Sequence, residues 1–91
     1  MKYDVPAEFF KRLQVLPKNI QAKFAKTLLL FIQDPFHPSL HTKKMKGIAG
    51  VWECRIDRAY RFTFHYEVNE RGEKVCRLRN IGPHDILDTS P

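Results

Sequence analysis

The stretch Val51-Trp52-Glu53-Cys54-Arg55-Ile56-Asp57, continued by Tyr60-Arg61-Phe62-Thr63-Phe64-His65-Tyr66-Glu67, decides the fold. Trp52, Cys54 and Ile56 alternate with Glu53, Arg55 and Asp57, and Tyr60, Phe62, Phe64 and Tyr66 alternate with Arg61, Thr63, His65 and Glu67. A period of two with one apolar and one polar set predicts antiparallel strands with one face packed and the other open. The two apolar sets coincide only if an odd number of residues separates the strands. A three-residue loop at Arg58 to Tyr60 satisfies this and would set Arg61 opposite Asp57 and Arg55 opposite Thr63. After a turn around Asn69 to Gly72, a further strand is expected over about Lys74 to Ile81, with Arg77 and Arg79 on one face.

Upstream, the period changes. Lys2 to Val5 alternates and suits a short strand with Tyr3 and Val5 inward. Pro6 reads as the first position of a helix, with Glu8 near its positive dipole end and Phe9, Leu13 and Leu16 at helical spacing over Ala7 to Leu16. Leu16-Pro17 breaks that helix. A second runs from about Pro17 to Gln33, with Ile20, Phe24, Leu28, Phe31 and Ile32 as its apolar stripe and Lys18, Gln21, Lys23 and Lys26 facing away. The expected architecture is α+β, in the order β-α-α-β-β-β, with two N-terminal helices on one face of a curved antiparallel sheet.

Ninety-one residues fit a single domain over residues 1–91 and exclude a dinucleotide-binding fold or a barrel. The composition, 43% hydrophobic and 29% charged, is that of a folding chain. Cys54 and Cys76 are too few for a disulfide framework or a zinc site and read as buried thiols. The longest apolar run, Thr27 to Ile32, is far too short to span a bilayer, so the expected location is the cytoplasm and no membrane partner is expected.

The net charge of +6 is unevenly placed. Residues 1–34 carry six bases and three acids, and residues 51–91 carry seven of each. The acid-free connection Phe36 to Gly50 holds Lys43, Lys44 and Lys46 and supplies the other half of the excess.

On the open sheet face these assignments gather Arg55, Arg61, His65, Arg77 and Arg79, with the linker lysines arching over one edge. His84 follows Gly82-Pro83 at a rigid strand end. Arginine makes bidentate, charge-assisted bonds to phosphate, and histidine exchanges protons near neutral pH. Such a set suits RNA cleavage in which the ribose 2′-OH attacks the neighbouring phosphate. The same residues also suit ordinary cross-strand ion pairs of Arg55, Arg61 and Arg77 with Glu53, Asp57 or Glu67. His37 and His41 are four apart, but Pro38 between them argues against a helical metal pair.

The helix pair joined at Leu16-Pro17, the linker His37-Pro38-Ser39-Leu40 leading through Lys44-Met45-Lys46-Gly47, the block from Trp52 to Arg61 and the terminal Ile81-Gly82-Pro83-His84-Asp85-Ile86-Leu87 stand in a familiar order. Together they resemble the RelE/ParE superfamily of bacterial toxin–antitoxin toxins, over nearly the whole chain from Tyr3 to Leu87. The resemblance implies a cognate antitoxin partner, with oligomerisation through that antitoxin. In the RelE/YafQ-like branch it also implies a ribosome-dependent endoribonuclease that cuts mRNA with no metal and no cofactor. It assigns catalysis to Arg55, Arg61 and His84, and sets Lys43 and Lys46 in a segment that supplies RNA contacts or a catalytic basic group. With the open face and the linker, the expected RNA contacts are Lys43, Lys44, Lys46, Arg77 and Arg79. Relatives often place an aromatic residue shortly after the His84 position, where this chain reads Leu87-Asp88-Thr89-Ser90-Pro91. Glu53, Tyr60 and Asp85 are the candidates to supply the missing acid–base or stacking group. The alternatives on the same fold are a ParE-like toxin that binds DNA gyrase without catalysis, and a member that only binds antitoxin.

Overall fold

The computed structural model describes the backbone of residues 1–91 and every side chain except those of Ile86, Asp88 and Thr89. The elements in order are β1 (Lys2–Asp4), α1 (Ala7–Gln14), α2 (Lys18–Gln33), a 3-10 turn at Pro38–Leu40, β2 (Lys43–Lys44), β3 (Val51–Arg55), β4 (Tyr60–Val68), β5 (Lys74–Pro83) and α3 (His84–Thr89). The five strands form one sheet in the order β1-β5-β4-β3-β2. No described helix is long and apolar enough to cross a membrane.

Two prolines shape the helical hairpin. Pro6 precedes α1 and its carbonyl accepts from the amides of Phe9 and Phe10, and Pro17 does the same for Ile20 and Gln21 at the start of α2. The α1 end is closed from the next helix, where the Gln21 side-chain amide donates to the carbonyls of Gln14 and Leu16 at 3.2 and 2.9 Å. This gives two carbonyls at a helix end, which otherwise lack partners, a donor.

The core is aromatic. Phe9, Phe24 and Phe31 from the helices pack on Phe62 and Phe64 of β4, with Phe31 edge-on to both at centroid distances of 5.2 and 4.9 Å. Edge-to-face contacts of this kind add about 0.5–1.5 kcal/mol beyond the area buried. The connection after α2 is fastened to the sheet by Phe36, which meets Trp52 edge-on at 5.1 Å, and by the Thr42 hydroxyl, which donates to the Pro35 carbonyl at 2.6 Å. Ile32 is the exception in the expected stripe, for it lies half exposed on the outer side of α2.

The alternating stretch behaves as its period demands, since Cys54, Phe62 and Phe64 are fully buried on the helix side. Four features depart from the sequence reading. The sheet is mixed, because β1 pairs parallel to β5, Tyr3 beside Cys76 and Asp4 beside Arg77. A fifth strand, β2, pairs antiparallel with β3 and sets Lys43 opposite Glu53 and Lys44 opposite Trp52. The tail continues into α3. The β3–β4 turn has the expected length but closes one residue earlier, with Ile56 and Tyr60 bonded across it at 3.0 Å. Arg55 therefore faces Arg61, and Glu53 faces Thr63. The cause is Asp57, whose Oδ1 accepts from the amides of Ala59 and Tyr60, both at 2.9 Å, and so folds the turn around itself.

Cys54 and Cys76 are buried free thiols. Loss of hydration pushes both up to about 12, against a partial lowering of Cys54 by its Thr42 contact and of Cys76 by the charge of Lys74. A thiol held protonated in the folded chain stabilises fully below its ordinary value of 9.0, and that contribution is lost as pH rises from there toward about 12. Both thiols are expected to resist a thiol reagent at pH 8 and to react at once in guanidinium. Prompt labelling of either in the folded protein, read by mass spectrometry, would contradict their burial.

Candidate active site on the open sheet face

The face away from the helices is organised in rows set by strand register. One row runs Asp4, Arg77, His65; the next runs Asn80, Thr63, Glu53, Lys43; the last runs Gly82, Arg61, Arg55. A bulge between Thr63 and Phe64 joins the first row to the second, because Phe64 pairs with Leu78 while Thr63 pairs with Asn80. The extra residue, Arg79, is thereby released from the ladder.

The rows differ in charge balance, and this sorts the arginines. Arg77 is neutralised: its Nε lies 3.2 Å from Asp4 and also bonds Glu67. It is a cross-strand ion pair. Arg79 donates through Nη1 to His65 Nδ1 at 2.9 Å and through Nε to the Pro91 main-chain oxygen at 3.3 Å. An arginine can only donate, so His65 Nδ1 is the acceptor and the ring proton sits on Nε2, which faces Glu67 at 3.5 Å. Arg77 is thus paired within the sheet, whereas Arg79 is fixed by a ring nitrogen and a main-chain oxygen and has no side-chain carboxylate within ion-pair distance among the described residues.

Arg55 and Arg61 have no carboxylate within ion-pair distance among the described residues. Arg61 Nη1 donates to the carbonyls of Asp57, Arg58 and Tyr60, the last two at 3.1 and 3.0 Å, and Arg55 Nε donates to the Asp57 carbonyl at 3.4 Å. Neutral carbonyls fix the two guanidinium groups without cancelling their charge. Nε and Nη2 of Arg61 and both terminal nitrogens of Arg55 have no protein partner among the described residues, so their N–H groups are available to an anion.

Two adjoining clefts open on this end of the face and share Lys43, Glu53 and Arg61. The larger, of about 570 Å3, is completed by Lys44, Met45, Lys46, His84 and Pro91. The smaller, of about 400 Å3, is completed by His41, Thr42 and Arg55. His84 opens α3 directly after β5; its amide donates to the Ala59 carbonyl at 3.0 Å, and its side chain is exposed. Glu53 is half-buried and pairs with Lys43 at 3.4 Å. Lys44 lies 5.4 Å from the Trp52 ring centre, a cation–π contact at the sheet edge.

Of the residues proposed from sequence, Arg55, Arg61, His84, Lys43, Lys44, Lys46 and Glu53 line these clefts. Tyr60 sits half-buried opposite Pro83, and Asp85 is exposed on α3; neither lines the clefts. His37 is spent on its own turn, its Nδ1 accepting from the Ser39 amide at 3.1 Å.

Sequence reasoning missed His41, Thr42, Met45 and the tail. His41 adopts a left-handed conformation (φ 48°), which turns the chain into β2. Thr63 and Asn80 are buried polar side chains on the open face, and they bind the tail: Thr63 donates to the Pro91 main-chain oxygen at 2.7 Å, and Asn80 to that of Ser90. A Thr and an Asn at facing positions of two strands were the available signal, but the bulge that makes them face is not written in the alternation.

No family model and no curated protein sequence matches the chain. Solved structures do match. A YoeB/ParE toxin from Agrobacterium tumefaciens aligns with a TM-score of 0.69 at 19% identity, over 92% of this chain and 99% of that one. YafQ from E. coli strain BL21(DE3) aligns at 0.69 and 14% identity, over 94% and 96%. A chain of the RelB–RelE antitoxin–toxin complex from Methanococcus jannaschii aligns at 0.66 and 20% identity, over 97% and 99%. The chain has the fold of the RelE/ParE superfamily of toxin–antitoxin toxins.

Proposed function

We propose that the chain is the toxin of a toxin–antitoxin pair and acts as a ribosome-dependent endoribonuclease on mRNA. The observation that carries this reading is the convergence, in one basic cleft, of an uncompensated arginine (Arg61), an exposed histidine (His84) and a carboxylate (Glu53). These are the parts of a transesterification that needs only proton transfer and charge stabilisation. Glu53 accepts the proton of the ribose 2′-OH as its oxygen bonds to the adjacent phosphorus. Arg61, with Arg55 beside it, stabilises the added negative charge on the phosphoryl oxygens. The bond from phosphorus to the leaving 5′-oxygen breaks, and His84 gives that oxygen a proton. The products are a 2′,3′-cyclic phosphate and a 5′-hydroxyl end. Lys43, Lys44 and Lys46 hold the flanking phosphates and make binding salt-dependent.

Several similar structures are complexes of RelE or YafQ with RelB or DinJ, which supports an antitoxin as the protein partner. With no described aromatic side chain in the cleft other than the histidines, the nucleotide base lacks a stacking platform, and positioning falls to the ribosome. The test is to add the purified chain to programmed ribosomes and map mRNA ends. Cleavage that requires ribosomes and leaves cyclic-phosphate ends is expected. Intact mRNA together with loss of DNA supercoiling would overturn the reading in favour of gyrase binding.

A further inference from the structure

We propose that Asp57 is a positioning residue of this site, holding through one turn the side chains of Arg55 and Arg61 and the start of the helix that carries His84. The inference rests on the ribonuclease reading above, but its geometry does not. Five separate bonds converge on residues 57–60. Arg61 is fastened to the carbonyls of Asp57, Arg58 and Tyr60. Arg55 is fastened to that of Asp57. His84, from the far end of β5, is fastened through its amide to the carbonyl of Ala59. The turn that presents these carbonyls is in turn shaped from inside by the Asp57 side chain, whose Oδ1 takes the amides of Ala59 and Tyr60.

The other carboxylate oxygen reaches the helical layer. Lys23 of α2 donates to Asp57 Oδ2 at 3.2 Å, so the turn is braced against the opposite side of the protein. A single side chain therefore sets the carbonyl directions of the turn, and these set where two guanidinium groups and the start of α3 lie. None of the Asp57 atoms lines either cleft, so it acts through the other residues and not on substrate. A misplacement of about 1 Å in a catalytic group can cost on the order of a hundredfold in rate.

The two bonds to the amides need an oxygen acceptor, and the bond to Lys23 benefits from charge. The variants Asp57→Ala, Asp57→Asn and Lys23→Ala separate these. Each is measured for ribosome-dependent cleavage and, free of ribosomes, by NMR of the Arg55 and Arg61 guanidinium N–H groups. Asp57→Ala is expected to lower kcat roughly a hundredfold with little change in KM, and to speed hydrogen exchange at both guanidinium groups. Asp57→Asn, whose amide oxygen accepts the same two bonds, is expected to stay within about threefold of the parent in kcat and to keep slow exchange. Lys23→Ala should behave as Asp57→Asn does.

Parent-like cleavage and unchanged arginine signals in Asp57→Ala would overturn the proposal, as would an Asp57→Asn variant as impaired as Asp57→Ala. If the parent protein cuts no mRNA, the ribonuclease reading fails on its own. The arginine signals then decide the positioning role alone: it stands if Asp57→Ala frees them and falls if it does not.

Discussion

Replacing His84 by Ala is expected to abolish growth arrest and to slow mRNA cleavage by roughly 10²–10⁴-fold, the range for loss of a general acid. Stability should barely move. The His84 side chain is exposed and has no described side-chain hydrogen bond; only its amide is used, in the bond to the Ala59 carbonyl, and Ala keeps that amide. Surface changes of this kind stay within about 0.5 kcal/mol. The comparison of cleavage rate with urea unfolding of the same preparation separates chemistry from folding. His84→Gln is a useful companion, since it fills similar space and hydrogen-bonds but cannot supply a titratable proton. Parent-like cleavage by a folded His84→Ala protein would remove His84 from the mechanism and leave the proton to another group of the cleft.

The largest effect on stability is expected from Phe62→Ala. Phe62 is fully buried and meets Phe24 and Phe31 edge-on, at centroid distances of 5.5 and 5.2 Å, so it ties β4 to α2 at the centre of the core. Truncating such a ring costs about 3–5 kcal/mol in lost transfer energy and residual cavity. Domains of this size have in total roughly 5–15 kcal/mol. The variant should therefore unfold at much lower urea or fail to fold at 37 °C, whereas Phe62→Leu should lose less. A cost for Phe62→Ala below about 1.5 kcal/mol would mean that the helices are not held on the sheet through this ring.

How far the sequence carries the fold depends on how local each determinant is. The faces of β3 and β4 follow from the alternation around Trp52 to Glu67, and Phe62 and Phe64 are buried where that pattern puts them. The helix pair follows from two prolines and an apolar stripe. The parallel pairing of β1 with β5 joins residues some seventy positions apart and leaves no local mark, although it decides that Asp4 neutralises Arg77. The two-residue strand β2 is too short to show a period, so the lysine cluster read as an irregular arch. The arginines could not be told apart from type alone. Arg77 is paired and Arg61 is not because carboxylates from β1 and β4 reach the first and not the second, and Asp57, spent on its own turn and on Lys23, offers Arg61 its carbonyl instead of its carboxylate. Position in the sheet makes that distinction.

The pairing of the first strand with the last has a consequence for synthesis. Chains emerge N-terminus first, and pairings between distant segments form only when both are free. While α1 and α2 leave the ribosome, β1 has no neighbour, because its partner β5 is still to come. The cleft is later still: Arg61 takes its place in a sheet whose centre includes β5, and His84 follows that strand directly. Until β5 and His84 have left the ribosome, the nascent chain therefore holds no assembled cleft, however completely its helices have formed.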